Sequence, residues 1–280
     1  MILIAESGST KTDWVLIENN KNTLNISTSG FNPNYFPVEI LDQGVAEIAA
    51  STSANQVSEI YFYGSGCTRS ESKKMVDEVL KKHFGQAKTQ VNNDLYGAAR
   101  ALFGDGSGIV SILGTGSSCC LFSDGAIKYQ VPSLGYLLGD EGSGFHLGKL
   151  LVNAYFKGRL PDHLKQKLEA EANLNLSGFI GKIYSEPKPN STLASFVTFI
   201  DANKHEPFIK NLVKMAFRDF FAGNISCIPR YRDFKLGFAG SVAFLFQDFL
   251  IETALESGLE ISKIVKNPIG ELAKYHSGKI

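Results

Sequence analysis

Residues 2–14 of the chain read ILIAESGSTKTDW, and residues 109–118 read IVSILGTGSS. In both stretches an apolar run ends in a short turn of glycines and hydroxyl residues, which is typical of a buried strand that leads into a hairpin. Each turn offers backbone N–H groups and hydroxyls that point the same way, and such turns bind anions. The two stretches therefore predict a pair of phosphate-binding turns, one in each half of the chain.

The composition favours a globular protein with no excess of either charge. The chain has 280 residues, of which 44% are hydrophobic, so it is long enough for two domains of ordinary size. Its 28 Lys and Arg residues balance 28 Asp and Glu residues, which argues against nucleic-acid or membrane partners. The four cysteines lack CxxC spacing and no export signal is apparent, so we expect reduced thiols and a cytoplasmic location.

The order of predicted elements indicates an α/β chain built from two related halves. The first half begins with an antiparallel meander and continues with alternating helices and strands. After the glycine-rich run 104–108, the second half repeats this beginning, with strands on both sides of the turn at residues 114–117. We predict one domain over residues 1–107 and another over residues 108–280, with a helical insertion and a last helix that could pack back on the first domain.

Two further glycine-rich segments carry candidate chemistry. Residues 139–144 read GDEGSG ahead of a predicted helix, where Asp140 and Glu141 can face a ligand or can form an acidic cap for that helix. Residues 237–243 read GFAGSVA between a predicted strand and a predicted helix. There the backbone can approach a ligand closely, or Ser241 can cap the helix.

Asp94 and Glu6 are the candidate catalytic and metal-binding carboxylates. Asp94 follows a predicted strand, where it can cap the next helix or act as a general base beside bound phosphates. Glu6 lies at the end of the first strand, and an acid among phosphate-binding groups implies a divalent cation between the two. The histidines show no metal-ligand spacing, and neither a Walker loop nor a GxGxxG motif occurs.

Together these motifs resemble the N-acetylglucosamine kinase branch of the BadF-type ATPases, within the actin-like and hexokinase-like ATPase superfamily. The matching segments are ESGSTKTDW at 6–14, LGTGS at 113–117, GDEGSG at 139–144 and GFAGSVA at 237–243. The resemblance implies two ribonuclease H-like domains with a central cleft for nucleotide and substrate. It also implies ATP and Mg²⁺ as cofactors, a small sugar as substrate and a homodimer as a family expectation.

The resemblance further implies roles for individual residues. Asp94 corresponds to the base that accepts the proton of the sugar 6-hydroxyl, and Glu6 to the acid that approaches magnesium through water. Many members of the superfamily carry Asp where this chain has Glu6, and some relatives carry Trp where it has Tyr136. The implied nucleotide ligands are Ser9, Thr10, Lys11, Gly114, Thr115, Gly116, Ser117, Gly240 and Ser241. The implied sugar ligands are Asn32, Thr115, Gly135, Tyr136 and Asp140.

The resulting prediction is an ATP-dependent kinase that phosphorylates the 6-hydroxyl of N-acetylglucosamine or a related amino sugar. One alternative is an ATPase activator of a radical dehydratase, whose iron–sulfur cluster is held by cysteines at a subunit interface. Cys119 and Cys120 lie within the second hairpin instead. The other alternative is a non-catalytic sugar-sensing protein, against which the presence of Glu6, Asp94 and Asp140 argues.

Overall fold

The computed structural model describes residues 1–8, 10–19, 21–172 and 174–278. Contacts between Cα atoms divide the chain into two compact units. One unit combines Met1–Gly106, Ser123–Ile127 and Asn267–Ile280, and the other combines Ser107–Phe122 and Lys128–Lys266. The chain first passes from one unit to the other within the glycine-rich run 104–108. Its last passage returns to the first unit, which therefore includes the final helix.

The described residues form ten strands and thirteen α-helices. The strands are β1 (Ile2–Ser7), β2 (Lys11–Glu18), β3 (Lys21–Ser29), β4 (Glu59–Gly64), β5 (Lys88–Asn93), β6 (Gly108–Leu113), β7 (Ser117–Ser123), β8 (Ala126–Gln130), β9 (Leu236–Ala239) and β10 (Ile261–Val265). The helices are α1 (Val38–Ser51), α2 (Ser70–His83), α3 (Asp94–Phe103), α4 (Gly135–Leu138), α5 (Gly144–Phe156), α6 (Asp162–Glu171), α7 (Leu176–Ser185), α8 (Pro189–Ala194), α9 (Val197–Ala202), α10 (Pro207–Gly223), α11 (Ser241–Leu245), α12 (Gln247–Glu256) and α13 (Ile269–His276).

The first unit is a mixed sheet with helices on both faces. Its strands lie in the order β3-β2-β1-β4-β5, with β1 antiparallel to β2 and parallel to β4. Successive side chains of a strand point to opposite faces. Leu3 and Ala5 of β1 accordingly belong to the core under α1 and α2, whereas Ile4 packs with Leu272 of α13. Burial on both faces explains why residues 2–5 of β1 are all apolar.

The second unit repeats the arrangement of the first. Its strands lie in the order β10-β9-β6-β7-β8, with β6 antiparallel to β7 and parallel to β9. In both sheets the first strand lies at the centre, the next two follow it on one side, and the last two lie on the other. Phe217 and Phe220 of α10 and Phe238 of β9 belong to the core of this unit. The prediction of an α/β protein with two ribonuclease H-like halves is confirmed.

Two expectations about the chain as a whole concern its thiols and its helices. Cys67, Cys119, Cys120 and Cys227 form no disulfide, and only Cys227 is exposed. Among the described residues, none of the helices has both the length and the apolar character needed to cross a bilayer.

Candidate functional site

The predicted acids Glu6 and Asp94 reach the same edge of the first sheet. Glu6 of β1 pairs in register with Tyr63 of β4, and Gly64 of β4 pairs with Asn93 of β5, directly before Asp94. These strands are parallel, so their carboxyl ends meet at this edge. In open α/β sheets, ligands bind outside the carboxyl ends of the strands.

The first glycine turn connects β1 to β2 at this edge. The Gly8 N–H donates to the Lys11 carbonyl at 2.9 Å, and the Gly30 N–H donates to the Thr10 carbonyl at 3.2 Å. A Cβ on Gly30 would stand 2.4 Å from the Gly8 carbonyl oxygen, so the close approach requires glycine. Thr10 and Lys11 are exposed and can reach a ligand. Ser9 lies outside the described residues.

Negative charge accumulates around Glu6. Burial, reinforced by the nearby carboxyl groups of Asp94 and Asp13, raises the pKa of Glu6 to about 7, while Lys11 opposes the shift. The Lys11 Nζ lies 2.6 Å from the Asp13 Oδ2, so this cation is already shared with another acid. The cluster therefore favours an additional positive charge.

A magnesium ion that is held mainly by phosphates and water fits this cluster. In the described part of the chain, no group of three or more His, Cys, Asp or Glu residues could hold a metal ion by itself. Magnesium usually keeps several waters and uses one or two carboxylates together with substrate phosphates. Glu6 supplies a carboxylate of that kind next to the first glycine turn.

Asp94 is not the N-cap of α3. That position belongs to Asn93, whose Oδ1 accepts from the Tyr96 N–H at 2.8 Å. Asp94 is the first residue of the helix, and its Oδ1 accepts from the Leu95 N–H at 2.9 Å. Burial raises the pKa of Asp94, and hydrogen bonds from Leu95 and from the Ser65 hydroxyl oppose that shift. A buried carboxyl group with a raised pKa is typical of a functional site.

Ser65 connects Asn32 to Asp94. The Asn32 Nδ2 donates to the Ser65 Oγ at 3.3 Å, and the Ser65 hydroxyl lies close enough to the Asp94 carboxyl group to lower its pKa. Gly66 has φ +78°, and a Cβ there would stand 2.3 Å from the Asn32 Oδ1. Ser65 is not among the residues predicted from the sequence, although Gly64-Ser65-Gly66 at the end of β4 repeats the glycine and hydroxyl pattern of the two predicted turns.

In the second unit, the second glycine turn contacts Asp140. The Ser117 N–H donates to the Asp140 Oδ1 at 2.9 Å. A Cβ on Gly116 would stand 2.9 Å from both carboxylate oxygens of Asp140, so glycine is required for this approach. Burial raises the pKa of Asp140, Glu141 adds to the shift, and the Ser117 N–H opposes it.

The GDEGSG segment and the second glycine turn form one hydrogen-bonded assembly. The Gly144 N–H donates to the Gly114 carbonyl at 2.8 Å, and the Phe145 N–H donates to the Thr115 carbonyl at 3.1 Å. Ser143 caps α5, since its side chain accepts from the backbone N–H of the third residue of the helix. The two acids thus lie before the helix, and the cap is a serine.

Gly135 and Tyr136 adjoin this assembly. Gly135 begins α4 with φ +67° and accepts a hydrogen bond from the Gly139 N–H at 2.9 Å, one residue before Asp140. The Tyr136 ring meets the Phe145 ring edge-on, with the ring centroids 5.5 Å apart. Tyr136 is partly buried, so its position is supported by the core.

The third glycine turn lies against the end of β6. Gly240 has φ +116°, and a Cβ there would stand 2.3 Å from the Leu113 carbonyl oxygen, directly before Gly114. Gly240 occupies the N-cap position of α11, so Ser241 is the first helical residue instead of its cap. Ser241 is exposed, and its side chain does not cap α11.

The structure thus brings the predicted residues together in two groups, one in each unit. The group in the first unit is Glu6, Thr10, Lys11, Asn32 and Asp94. The group in the second unit is Gly114, Thr115, Gly116, Ser117, Asp140, Gly240 and Ser241, with Gly135 and Tyr136 adjoining it.

A separate cavity of about 500 Å³ in the first unit is lined by none of these residues. Its lining includes Tyr61, Tyr63, Tyr96, Arg100 and His276. The polar groups of the lining bind one another, since the Tyr63 hydroxyl lies 2.8 Å from the His276 Nε2 and the Arg100 Nη2 donates to the Tyr96 hydroxyl at 2.7 Å. Hydrogen bonds between side chains thus connect the walls of this cavity, and none of the predicted site residues lines it.

Comparison with known proteins identifies the family. Over 99% of both chains, this protein is 38% identical to a solved structure from Porphyromonas gingivalis, described as a "putative N-acetylglucosamine kinase", with a TM-score of 0.94. The chain belongs to this N-acetylglucosamine kinase-like family. No family model matches the chain.

Two further similarities are more distant. The N-acetylmuramic acid/N-acetylglucosamine kinase of Clostridium acetobutylicum is 25% identical over 197 residues, which are 65% of this chain and 61% of the length of that enzyme. The ROK family glucokinase of Streptomyces griseus, solved in complex with glucose and AMPPNP, is 13% identical over 98% of this chain and 97% of its own, with a TM-score of 0.62. The second likeness is one of fold alone.

Proposed function

We propose that this protein is an ATP-dependent kinase that transfers the γ-phosphoryl group to the 6-hydroxyl of N-acetylglucosamine or a closely related amino sugar. The observation that carries the proposal is the position of the Asp94 carboxyl group, whose pKa burial raises and Ser65 lowers, next to Asn32 and the first glycine turn. The named activities of the relatives from Porphyromonas gingivalis and Clostridium acetobutylicum support the substrate class. A cytoplasmic location and a homodimer stay predictions.

Asp94 is the proposed general base. A base must lie within hydrogen-bond reach of the hydroxyl from which it takes the proton, and its pKa should lie closer to neutrality than that of a free carboxyl group. Burial raises the pKa of Asp94 in that direction. The Ser65 hydroxyl would help to orient this carboxylate, and Asn32 is the proposed ligand for the sugar hydroxyls.

The glycine turns are the proposed nucleotide ligands. Thr10, Lys11 and the backbone at 114–117 would bind the β- and γ-phosphates, and Gly240 and Ser241 would lie against the adenosine. Glu6 would hold Mg²⁺ together with the phosphates, and bound Mg²⁺ neutralises charge on the transferring group. Asp140, Gly135, Tyr136 and Thr115 are the proposed sugar ligands of the second unit.

The activator alternative has less support. Cys119 and Cys120 are both fully buried in β7, and burial raises the pKa of the Cys119 thiol to about 12. Thiolates, which are the form that ligates metal clusters, are therefore disfavoured at Cys119. An interfacial cluster needs accessible cysteine ligands, and Cys227 is the exposed cysteine of the chain.

The decisive experiment is an ADP-release assay over a panel of hexoses and amino sugars, with NMR of the product to locate the phosphate. Asp94→Asn should lower kcat by about a hundredfold to ten-thousandfold and leave the nucleotide Kd within about twofold, because general-base catalysis is lost while the phosphate ligands stay. Asp248→Asn, at an exposed acid of α12, is the matched control and should behave as wild type. If no sugar stimulates ADP release, the sugar-sensor alternative replaces the kinase; near-normal turnover of Asp94→Asn would refute the base.

A further inference from the structure

We propose that His146 is a positioning residue for the sugar-binding loop, because its imidazole holds the backbone of Gly142 and thereby keeps the Asp140 carboxylate in place. The proposal rests on the proposed function and goes beyond it, since His146 matches none of the residues assigned to nucleotide, metal or sugar.

The contact between His146 and the loop is direct. The Gly142 N–H donates to the His146 Nδ1 at 3.1 Å. Gly142 is buried, and a Cβ on it would stand 2.8 Å from the Cβ of Phe220, so this stretch of backbone is closely packed. A buried N–H without an acceptor is costly, and His146 supplies the acceptor.

The loop needs such support because its backbone is strained. Asp140 has φ +60° and Gly142 has φ +71°. The left-handed conformation has a cost for Asp that Gly does not incur, so the groups around Asp140 help to hold it. The Ser143 Oγ donates to the Asp140 carbonyl at 2.6 Å and accepts from the His146 N–H at 3.2 Å. Two hydrogen bonds therefore run from His146 to the loop.

This pair of bonds has the form of a capping box. In that motif, the third residue of a helix accepts with its side chain from the backbone N–H of the N-cap, while its own N–H binds the N-cap side chain. The side chain of His146 accepts instead from Gly142, the residue before the N-cap Ser143. Here the far end of the loop is Asp140, whose Oδ1 accepts from the Ser117 N–H of the second glycine turn. If the Gly142 N–H were released, Asp140 could relax from its strained conformation and its carboxylate could leave the turn.

The bond to Gly142 also sets the protonation state of His146. Nδ1 accepts from an N–H only when it carries no proton, so the ring is neutral with its proton on Nε2, which lies 3.8 Å from the Asp219 Oδ2. Burial lowers the pKa of His146; Lys149 of α5 adds to this shift, whereas Asp219 of α10 and Glu141 of the loop oppose it. A protonated ring would turn an N–H toward the Gly142 N–H and release the loop at low pH.

Two variants of similar size separate positioning from packing. His146→Asn places an amide oxygen near the position of Nδ1 and keeps the acceptor, whereas His146→Leu removes it. We expect His146→Leu to raise the sugar KM about tenfold, the value of one hydrogen bond, and to raise the ATP KM by less, since Asp140 also accepts from the Ser117 N–H of the second glycine turn. His146→Asn should stay close to wild type at neutral pH. Equal sugar KM values for the two variants, or an equal rise in both KM values, would overturn the proposal.

The pH profile gives a readout that packing alone would not produce. The neutral ring is the state that holds the loop, and burial keeps its pKa below the ordinary histidine value of about 6.5, so the wild-type sugar KM should rise only at pH values below that value. In His146→Asn this part of the rise should be absent, because the amide does not titrate. Identical profiles for the two proteins would contradict the role of His146.

Hydrogen–deuterium exchange tests the same contact without any activity. In the sugar-free protein, the Gly142 amide should exchange faster in His146→Leu than in wild type and in His146→Asn. If wild type phosphorylates no sugar but the exchange differs as expected, the proposed function fails and the holding of the loop by His146 stands. If wild type is an active kinase but the exchange is the same in all three proteins, the His146 proposal alone fails.

Discussion

Gly240→Ala tests whether the third glycine turn and the end of β6 share one closely packed backbone. At Gly240 φ is 116° and ψ is 161°, a conformation essentially restricted to glycine, and another residue there costs about 1–3 kcal/mol. The new Cβ would stand 2.3 Å from the Leu113 carbonyl oxygen, which belongs to a central strand, and crowding of this kind costs about 1–3 kcal/mol. The sum is about 2–6 kcal/mol, a large part of the roughly 5–15 kcal/mol by which proteins are stable.

Thermal unfolding measures this cost directly. At about 2–4 °C per kcal/mol, the Tm should fall by about 5–20 °C. Gly181→Ala is the matched control, because nothing lies within 4 Å of a Cβ at this position of α7 and alanine stabilises a helix by about 0.5–1 kcal/mol.

The same variant should also weaken nucleotide binding. Leu113 directly precedes Gly114, so displacement of its carbonyl moves the second glycine turn, and calorimetric titration with a nucleotide below both melting transitions should detect the loss. A Tm within about 2 °C of wild type would refute the packing argument. A normal nucleotide affinity in a destabilised Gly240→Ala protein would refute the coupling of the two turns.

Three further predictions concern the first unit. Ser65→Ala should lower kcat about tenfold and leave the nucleotide Kd unchanged, because Asp94 loses the hydroxyl beside it. Ser65→Thr, which keeps a hydroxyl, should retain most of the activity. Steady-state kinetics of the two variants test this prediction. Burial, with a smaller effect of Arg100, lowers the pKa of His276 to about 4, so the neutral ring is favoured in the fold. The neutral ring stabilises the fold at a pH above the ordinary histidine pKa of about 6.5, and this stabilisation is lost as the pH falls toward 4. Because solvent screens the partly exposed ring, we expect the free energy of unfolding to fall by about 1 kcal/mol. Urea unfolding of the non-titrating His276→Gln should show no such fall. Removal of magnesium by EDTA should abolish phosphoryl transfer, and excess Mg²⁺ should restore it. Glu6→Gln should raise the Mg²⁺ concentration that gives half-maximal rate. An unchanged Mg²⁺ titration in this variant would exclude Glu6 as the metal ligand.

Part of the site could be predicted because its signals are local. The apolar runs at residues 2–5 and 109–113 indicate buried strands, and the glycines that follow indicate turns, since both depend on the conformations open to neighbouring residues. The letters around Asp94 fit both a general base and a helix cap, and local signals do not separate the two. The structure assigns that cap to Asn93 and leaves Asp94 its own hydrogen bonds.

By itself, the amino-acid sequence determined the α/β class, the repetition of the two halves and the positions of the glycine turns. The tertiary structure alone decided that Ser65 stands between Asn32 and Asp94, and that the Leu113 carbonyl leaves no room for a side chain at Gly240. It also decided that the pKa of Glu6 rises to about 7. The physical reason is that propensity and turn chemistry act between near neighbours in the chain, whereas burial, charge and steric exclusion depend on atoms that distant segments bring together.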